Sequence, residues 1–334
     1  MVWLKFLLCL AIILFSGIKL SRYGDAIAEK TGVGGIWIGL LLIAAITSMP
    51  ELVTGVSAAA LVGSADLAVG TLFGSNMLNL AVIALLDVLS HPVPVLTRAS
   101  PGHIASAGLM ILLVAIAAGA ISAGDRISWF ALGWLGVPAI IILVVYLVGV
   151  RGIFHLERRR RLGVLPAGPL RYEEISRRAT YIKFTLAAVA IIGAGIWLSF
   201  IGDEIAQVTG WGATFAGSVF LAITTSLPEI VVAVSALRLG AIDMGVAAML
   251  GSNMFNMAII APVDLAYTKG SILSLVSSEH IITALVVIAM GALVIGGLRW
   301  RTKRMTFAVM SWYTPGLIGL YIFGAYALFI SLRL

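Results

Sequence analysis

The sequence predicts an all-α integral membrane protein whose ten transmembrane helices form two inverted five-helix repeats. Three observations lead to this fold class. Of 334 residues, 61% are apolar and 11% are charged, and the mean hydropathy is +1.10. Ten apolar runs can each cross a bilayer, which takes about 20 helical residues. Two polar motifs of the first half recur in the second. Soluble domains carry about 25% charged residues, so this composition excludes a water-soluble enzyme and a nucleic-acid-binding domain.

The apolar runs leave no polar stretch long enough for a separate soluble domain. They cover residues 2–18, 34–62, 67–90, 103–122, 127–150, 180–200, 212–237, 244–267, 280–298 and 306–331. The first run lacks a convincing cleavage site and is followed by Lys19 and Arg22, so we interpret it as an uncleaved anchor. One long loop divides the chain into a first repeat at 1–150, a basic loop at 151–179 and a second repeat at 180–334.

The basic residues predict the orientation. The central loop contains four consecutive arginines at 158–161, and the positive-inside rule places such a loop in the cytoplasm. With ten spans, 18 of the 22 Lys and Arg residues then lie on the cytoplasmic side and both chain termini lie outside. This predicts a multi-pass protein of the cell (inner) membrane. The arginine run could also bind anionic lipid or a regulator.

An internal repeat relates the two halves. Residues 47–51, TSMPE, match residues 225–229, TSLPE. Residues 74–79, GSNMLN, match residues 251–256, GSNMFN, with one residue fewer between the motifs of the second half. An odd number of spans in each half requires the second half to enter the membrane upside down. Inverted repeats of this kind are typical of secondary transporters, whose site lies at mid-membrane between the repeats.

The first motif places a carboxylate inside an apolar span of each half. Glu51 and Glu229 are costly there and indicate a functional site, the alternative being two protonated acids in a structural network. Pro50 and Pro228 remove a backbone donor and kink their helices, so nearby carbonyls need partners. These carbonyls lie near Ala44, Thr47, Ala222 and Thr225.

The other motif residues add hydroxyl and amide oxygens. They are Thr47, Ser48, Ser75, Asn76, Asn79, Thr225, Ser226, Ser252, Asn253 and Asn256. Ser and Thr can instead bond back to their own helix, and Gly74 and Gly251 can serve helix packing alone. An all-oxygen donor set suits a hard cation, and six to eight oxygens suit calcium better than magnesium. Two carboxylates balance one divalent ion, or two sodium ions or protons. Another divalent metal fits equally.

The paired T-S-x-P-E and G-S-N-x-x-N segments resemble the alpha repeats of the cation/calcium exchanger superfamily, specifically its prokaryotic sodium/calcium exchanger-like antiporters. The resemblance covers both halves. It implies a sodium/calcium exchanger-like fold in which the first and sixth helices slide against the rest to give alternating access. It implies an antiporter that is not an enzyme, has no cofactor and exchanges calcium for sodium or protons. The ligands that it implies are Glu51, Glu229, Thr47, Ser48, Thr225, Ser226, Ser75, Asn79, Ser252, Asn256 and the carbonyls of Ala44 and Ala222.

The sequence departs from the family pattern at three positions. Ile46 and Thr224 stand where sodium-coupled members commonly have Gly, and Asn256 stands where they often have Asp. The central charge is therefore two carboxylates rather than three. This favours proton coupling or electroneutral exchange of two sodium ions, although the G-N-x-x-E pattern of the proton/calcium branch is absent too.

The remaining polar residues receive secondary roles. Asp87 and Asp264 are interpreted as vestibule groups or proton acceptors, the alternative being hydrated helix-end carboxylates. Asp66 and Asp243 are predicted to cap their own helices, and no histidine is predicted to be a ligand. The predicted partners are inorganic cations and the lipid bilayer. A monomer suffices for the site, and the oligomeric state is left open. A cation channel remains the main competing class.

Overall fold

The computed structural model describes residues 2–32, 35–127, 131–161, 172, 174–209 and 223–331. It confirms the helical architecture. The helices are α1 Val2–Thr31, α2 Ile38–Thr47 (after a short turn, Gly35–Trp37), α3 Met49–Val62, α4 Ala65–Leu89, α5 Val95–Arg98, α6 His103–Ala123, α7 Val137–Arg161, α8 Arg177–Thr209, α9 Leu227–Arg238, α10 Ile242–Ala266, α11 Ile272–Leu275, α12 His280–Arg299 and α13 Tyr313–Ser331. A 3₁₀ turn covers Gly124–Ile127, and strands β1 Ala131–Leu132 and β2 Leu135–Gly136 form an antiparallel hairpin.

The described residues contain seven helices long and apolar enough to cross a bilayer, or eight if the bent pair α2 and α3 is counted as one span. The total of ten spans stays a prediction. Helix α10 is the most enclosed of these helices, with 89% of its most apolar window buried. It packs against α2, α4, α6, α7 and α9, and so forms the centre around which the site is built.

Two predicted spans begin later than expected. The span predicted from residue 127 opens with the β-hairpin, because Gly133 has a φ of +69° and reverses the chain before α7. The span predicted from residue 306 begins at Tyr313. Residues 301–312 are not helical, and Ser311 is held by hydrogen bonds to Asp87.

Helix α1 extends well beyond the predicted end at residue 18, because polar side chains in its last turns find partners. Tyr172 of the central loop donates from its backbone N to Glu29 Oε1 at 3.0 Å and from its hydroxyl to Asp25 Oδ2 at 3.0 Å. Lys30 Nζ donates to the Tyr172 carbonyl at 2.7 Å. Asp25 therefore binds the central loop.

The predicted kink occurs at the first proline motif, and the second motif has the same local backbone. Helices α2 and α3 meet at an angle of 43°, with Ser48 at the break and Pro50 in the first turn of α3. Ser226 has nearly the same backbone angles as Ser48, and Pro228 lies in the first turn of α9. The fixed φ of proline suits a first turn, where its missing N–H is not needed. Each motif therefore starts a new helix inside the membrane.

A π-helical turn accounts for the extra residue between the motifs of the first half. Ala58–Val62 is π-helical, and such a turn accommodates one additional residue within a helix. The equivalent helix α9 is regular to its end at Arg238. Because the extra residue is absorbed before α4 begins, Ser75 still reaches Glu51, at 3.4 Å between Oγ and Oε1.

Two glycines allow α2 and α10 to pack backbone against backbone. A Cβ atom on Gly251 would collide with the Leu40 carbonyl, and one on Gly39 would collide with the Met244 carbonyl. For Gly251, helix packing is therefore a sufficient explanation, as with small residues at membrane helix contacts generally. This contact brings the proline motif of the first half beside the asparagine motif of the second.

Asp87 and Asp264 are neither vestibule groups nor hydrated helix ends. Both are fully buried, and their carboxylates accept hydrogen bonds from segments that follow or lie far away in the chain. Asp87 accepts from Val95 N, Ser311 N, Ser311 Oγ, Tyr313 Oη and Thr314 Oγ1. Asp264 accepts from Gly136 N and Ile272 N. Each carboxylate ties the end of a long helix to the start of other helices, which is a structural role.

Replacing Asp87 with Asn is expected to destabilise the protein by about 2–5 kcal/mol. All five groups that contact the carboxylate donate hydrogen bonds to it, so the NH₂ group of an asparagine would find no acceptor among them. The apparent melting temperature of the purified protein in detergent should fall. Glu204→Gln is the control, since its exposed ion pair with Lys5 contributes little. An unchanged melting temperature for Asp87→Asn would contradict the structural role.

Asp66 and Asp243 do not cap their own helices as predicted. The N-cap of α4 is Ser64, whose hydroxyl accepts from Leu67 N. The two aspartates instead contact the opposite half. The contacts are Asp66 Oδ1 with Ser277 N at 2.7 Å and His280 Nε2 at 3.3 Å, and Asp243 Oδ1 with Ser100 N at 2.6 Å and His103 Nε2 at 3.0 Å. His103 and His280 differ by the same 177 residues as the asparagine motifs.

Candidate functional site

The two proline motifs and the two asparagine motifs converge at one buried place, where α2, α3, α4, α9 and α10 meet. The predicted ligand side chains are all at most 1% exposed. They are Thr47, Ser48, Glu51, Ser75, Asn79, Thr225, Ser226, Glu229, Ser252 and Asn256. Ala44 is buried as well, and Ala222 lies outside the described residues.

Each carboxylate is held by a serine from the opposite half. Ser48 Oγ donates to Glu229 Oε1 at 3.0 Å, and Ser226 Oγ donates to Glu51 Oε1 at 3.1 Å. Ser226 and Ser75 are also 3.2 Å apart between their hydroxyl oxygens. The second oxygen of each glutamate, Oε2, is buried and has no hydrogen-bond partner among the described residues. The serines therefore fix one oxygen of each carboxylate and leave the other for a ligand.

The four asparagines form a second crossed arrangement. Asn79 Nδ2 donates to Asn253 Oδ1 at 3.0 Å, and Asn256 Nδ2 donates to Asn76 Oδ1 at 3.1 Å. Asn253 also donates to the Asn76 carbonyl at 3.1 Å. These bonds occupy the amide nitrogens of Asn79 and Asn256, whose Oδ1 atoms are buried and find no partner in the part of the chain that the structure describes. The first asparagine of each motif thus orients the last asparagine of the other.

Asn76 and Asn253 belong to the motif but are absent from the predicted ligand set. Their positioning role depends on a partner 174 or 180 residues away, so spacing within one motif could not reveal it. The recurrence of both asparagines in each half was the available signal.

The unpaired oxygens define what the site can hold. They are Oε2 of Glu51, Oε2 of Glu229, Oδ1 of Asn79, Oδ1 of Asn256 and Oγ of Ser252. Buried polar atoms normally have partners, and carboxylate, amide and hydroxyl oxygens are the ligands that hard cations prefer. No group of three or more His, Cys, Asp or Glu side chains suited to a metal occurs among the described residues. The described site is therefore a cluster of oxygen atoms that includes two carboxylates.

Two of the predicted cation ligands, Thr47 and the Ala44 carbonyl, already form hydrogen bonds within the protein. Thr47 Oγ1 donates to the carbonyls of Ile43 at 3.1 Å and Ala44 at 3.3 Å, which is the back-bonding that the sequence left as an alternative. The Ala44 carbonyl also accepts from Ser48 N at 3.0 Å. The Thr47 hydroxyl uses its proton in these bonds, so its lone pairs can still bind a cation. The Ala44 carbonyl accepts two hydrogen bonds and would have to lose one of them to bind a cation.

Asn253→Leu is expected to weaken the binding of a hard cation at the oxygen cluster about 10- to 100-fold, as for other residues that orient a metal ligand. Leucine matches asparagine in size but cannot hold the Asn79 amide. Binding would be measured by calorimetry on the purified protein. Thr71→Val is the control, since that buried hydroxyl bonds only to its own helix. Wild-type affinity in a folded Asn253→Leu protein would refute the positioning role.

Comparison with known proteins finds relatives in sequence and in fold. Among curated proteins, the inner membrane protein YrbG of Escherichia coli (strain K12) is 27% identical over 271 residues, which are 79% of this chain and 79% of that protein. The putative antiporter CaxA of Alkalimonas amylolytica is 24% identical over 271 residues, 79% of this chain and 80% of that protein. A structure of the sodium-calcium exchanger NCX_Mj, soaked with Na⁺ and Sr²⁺, matches with a TM-score of 0.73 at 17% identity, covering 98% of this chain and 99% of that one.

The structural likeness concerns the fold, which is that of an all-α membrane exchanger. Family membership follows from a separate match: the family described as sodium/calcium exchanger protein matches residues 1–152 and 180–334. These ranges contain both copies of the two motifs and leave out most of the basic loop. Members of this family are transporters rather than enzymes. The chain therefore belongs to the sodium/calcium exchanger protein family and is a multi-pass membrane cation antiporter.

Proposed function

We propose that the chain exchanges calcium for sodium ions or protons by alternating access at a site built on Glu51 and Glu229. One observation carries the proposal. Two buried carboxylates, one from each half, are each fixed by a serine of the other half and each keep one unpaired oxygen. A carboxylate inside a membrane is costly unless it serves an ion, so a pair with open oxygens favours ion binding over a structural role.

The donor set supports calcium as the divalent ion. The proposed ligands are the side chains of Glu51, Glu229, Thr47, Ser48, Thr225, Ser226, Ser75, Asn79, Ser252 and Asn256, with the carbonyls of Ala44 and Ala222. Calcium accepts six to eight oxygens in flexible geometry, whereas magnesium requires a near-ideal octahedron and keeps its waters. The relative NCX_Mj is named a sodium-calcium exchanger, which supports sodium as one coupling ion.

The exchange that we propose is electroneutral. Two carboxylates balance one calcium ion or two monovalent cations, so the site has the same net charge with either load. Asn256 contributes an amide oxygen rather than a third charge. A net charge at a site inside a membrane costs free energy. Because the site is neutral with calcium and with two monovalent cations, neither form pays this cost when the protein changes conformation.

The two-half arrangement and the orientation belong to the same proposal. Crossed pairs such as Ser48 with Glu229 and Ser226 with Glu51 support a first repeat at 1–150 and an inverted second repeat at 180–334. The distribution of Lys and Arg supports a cytoplasmic loop at 151–179 and external termini. Labelling of single cysteines introduced into this loop, in a Cys9→Ser background, would test the orientation.

The deciding experiment is calcium flux in vesicles that contain the purified protein, with a sodium gradient and a pH gradient imposed in turn. Flux driven by sodium alone identifies sodium as the coupling ion, and flux driven by pH alone identifies protons. If neither gradient moves calcium while another divalent ion is exchanged, calcium is the wrong substrate. Calcium flux without any countertransported ion would instead indicate a channel.

A further inference from the structure

A groove of about 600 Å³ lies on the surface of the helix pair α1 and α8, and none of the residues that line it belongs to the ion site. Its walls are almost entirely apolar, with Phe15 of α1 and Leu186 of α8 both more than 60% exposed. Two lysines, Lys19 and Lys183, stand at the groove. The apolar walls of the groove suit a lipid acyl chain, and the two lysines suit an anionic headgroup.

Within the described residues, neither lysine has a carboxylate partner. Lys19 Nζ lies 5.4 Å from the centre of the Phe15 ring, and Lys183 Nζ lies 5.7 Å from that of the Tyr23 ring. Among the described residues, no Asp or Glu lines the groove or forms an ion pair with either lysine. Their positive charge is therefore available to a ligand.

The internal repeat allows the surroundings of Lys183 to be compared with those of the equivalent lysine in the first half. Lys5-Phe6 in α1 recurs as Lys183-Phe184 in α8, at the offset of 178 that relates the proline motifs. Lys5 forms an ion pair with Glu204 at 2.8 Å. The residue equivalent to Glu204 in the first half is Ala26. One lysine of the equivalent pair is thus neutralised by the protein, and the other is not.

A second difference between the halves places another positive charge, that of Lys19, beside Lys183. The residue equivalent to Lys19 in the second half is Trp197. In the described part of the chain, the groove therefore holds two lysines without a carboxylate partner, whereas the other end of the helix pair has Lys5, which is paired with Glu204, and a tryptophan. By the charge rule this end faces the cytoplasm, where anionic lipids give the membrane surface its negative potential.

We propose that the groove binds one anionic phospholipid, with its phosphate between Lys19 and Lys183 and an acyl chain along Phe15 and Leu186. The lipid would contact the first helix of both halves at once. It supplies from the bilayer the negative charge that Glu204 supplies at the other end. This site is separate from the ion site and does not depend on which cation is exchanged.

Native mass spectrometry of the detergent-purified protein, titrated with phosphatidylglycerol or phosphatidylcholine, tests the proposal. We expect the wild type to retain one phosphatidylglycerol in preference to phosphatidylcholine. Lys19→Gln with Lys183→Gln should weaken that retention about 30-fold, at about 1 kcal/mol per lysine near an anionic headgroup. Lys19→Arg with Lys183→Arg should retain the lipid, which tests charge with little change in size.

Lys5→Gln is the matched control, because it removes the equivalent lysine that already has a carboxylate partner. The proposal is overturned if the double Gln variant retains phosphatidylglycerol as well as the wild type and this control do. It is also overturned if the wild type retains both lipids equally, since the groove would then accept any acyl chain. This second comparison needs no variant and stands even if the double Gln protein fails to fold.

Discussion

Glu51→Gln and Glu229→Gln are each expected to abolish calcium exchange and to weaken calcium binding at least about 1000-fold. Two unit charges 4 Å apart interact by about 4 kcal/mol at an effective dielectric constant near 20, and calcium carries two charges. The amide retains the hydrogen bond from Ser226 or Ser48, so the loss reports charge rather than geometry. Both variants should fail in the vesicle flux assay and in calorimetry.

The two variants should be similarly defective, because each glutamate is buried and accepts a hydrogen bond from the serine of the opposite half. Glu204→Gln is the control: it makes the same chemical change at a carboxylate that is 42% exposed and lies outside the site. Calcium binding that survives in both Glu51→Gln and Glu229→Gln would remove these residues from the ion site. Loss in only one of them would mean that a single carboxylate carries the ion.

Calcium exchange by the wild type is expected to be independent of membrane potential, and Asn256→Asp is expected to make it potential-dependent. The substitution adds a third carboxylate, which admits a further monovalent cation on the return step and leaves one net charge moved per cycle. Moving one charge through 100 mV is worth about 2.3 kcal/mol, or about 50-fold in the equilibrium calcium ratio. Vesicles with valinomycin and a potassium gradient set the potential.

The surroundings can accept this change. Asn76 Nδ2 is buried and has no partner among the residues that the structure describes, so its amide can turn and donate to the introduced carboxylate. Asn256→Leu is the control, since it removes the same oxygen without adding charge. It should weaken binding and leave any residual exchange insensitive to potential. Wild-type exchange that already follows the potential would contradict the two-carboxylate stoichiometry.

Much of the fold could be predicted because composition and repetition are properties of the linear sequence. A bilayer selects long apolar helices, so the hydropathy identified most spans although helix ends differed. Hydropathy reports what lipid covers, whereas α1 continues to Thr31 because Tyr172 satisfies its polar last turns. The recurrence of the proline and asparagine motifs likewise predicted the buried cluster.

The errors fell on polar residues whose partners lie far away in the chain. Asp87 looks like a helix-end carboxylate from its neighbours, but Ser311 contacts it from 224 residues further on. Asp66 looks like a helix cap, but it binds His280 of the other half. A buried polar group must be satisfied, and local sequence shows only that it needs a partner, not which one it has.

The sequence by itself determined the membrane class, the two related halves and the oxygen-rich motifs that contain Glu51 and Glu229. These depend on residue type and spacing, which folding does not change. The tertiary structure decided how the halves cross: Ser48 holds Glu229, Ser226 holds Glu51, and Asn253 turns the Asn79 amide so that its oxygen is free. The physical reason is that hydrogen bonds require contact within about 3.5 Å, and only folding brings residues more than 170 positions apart to that distance.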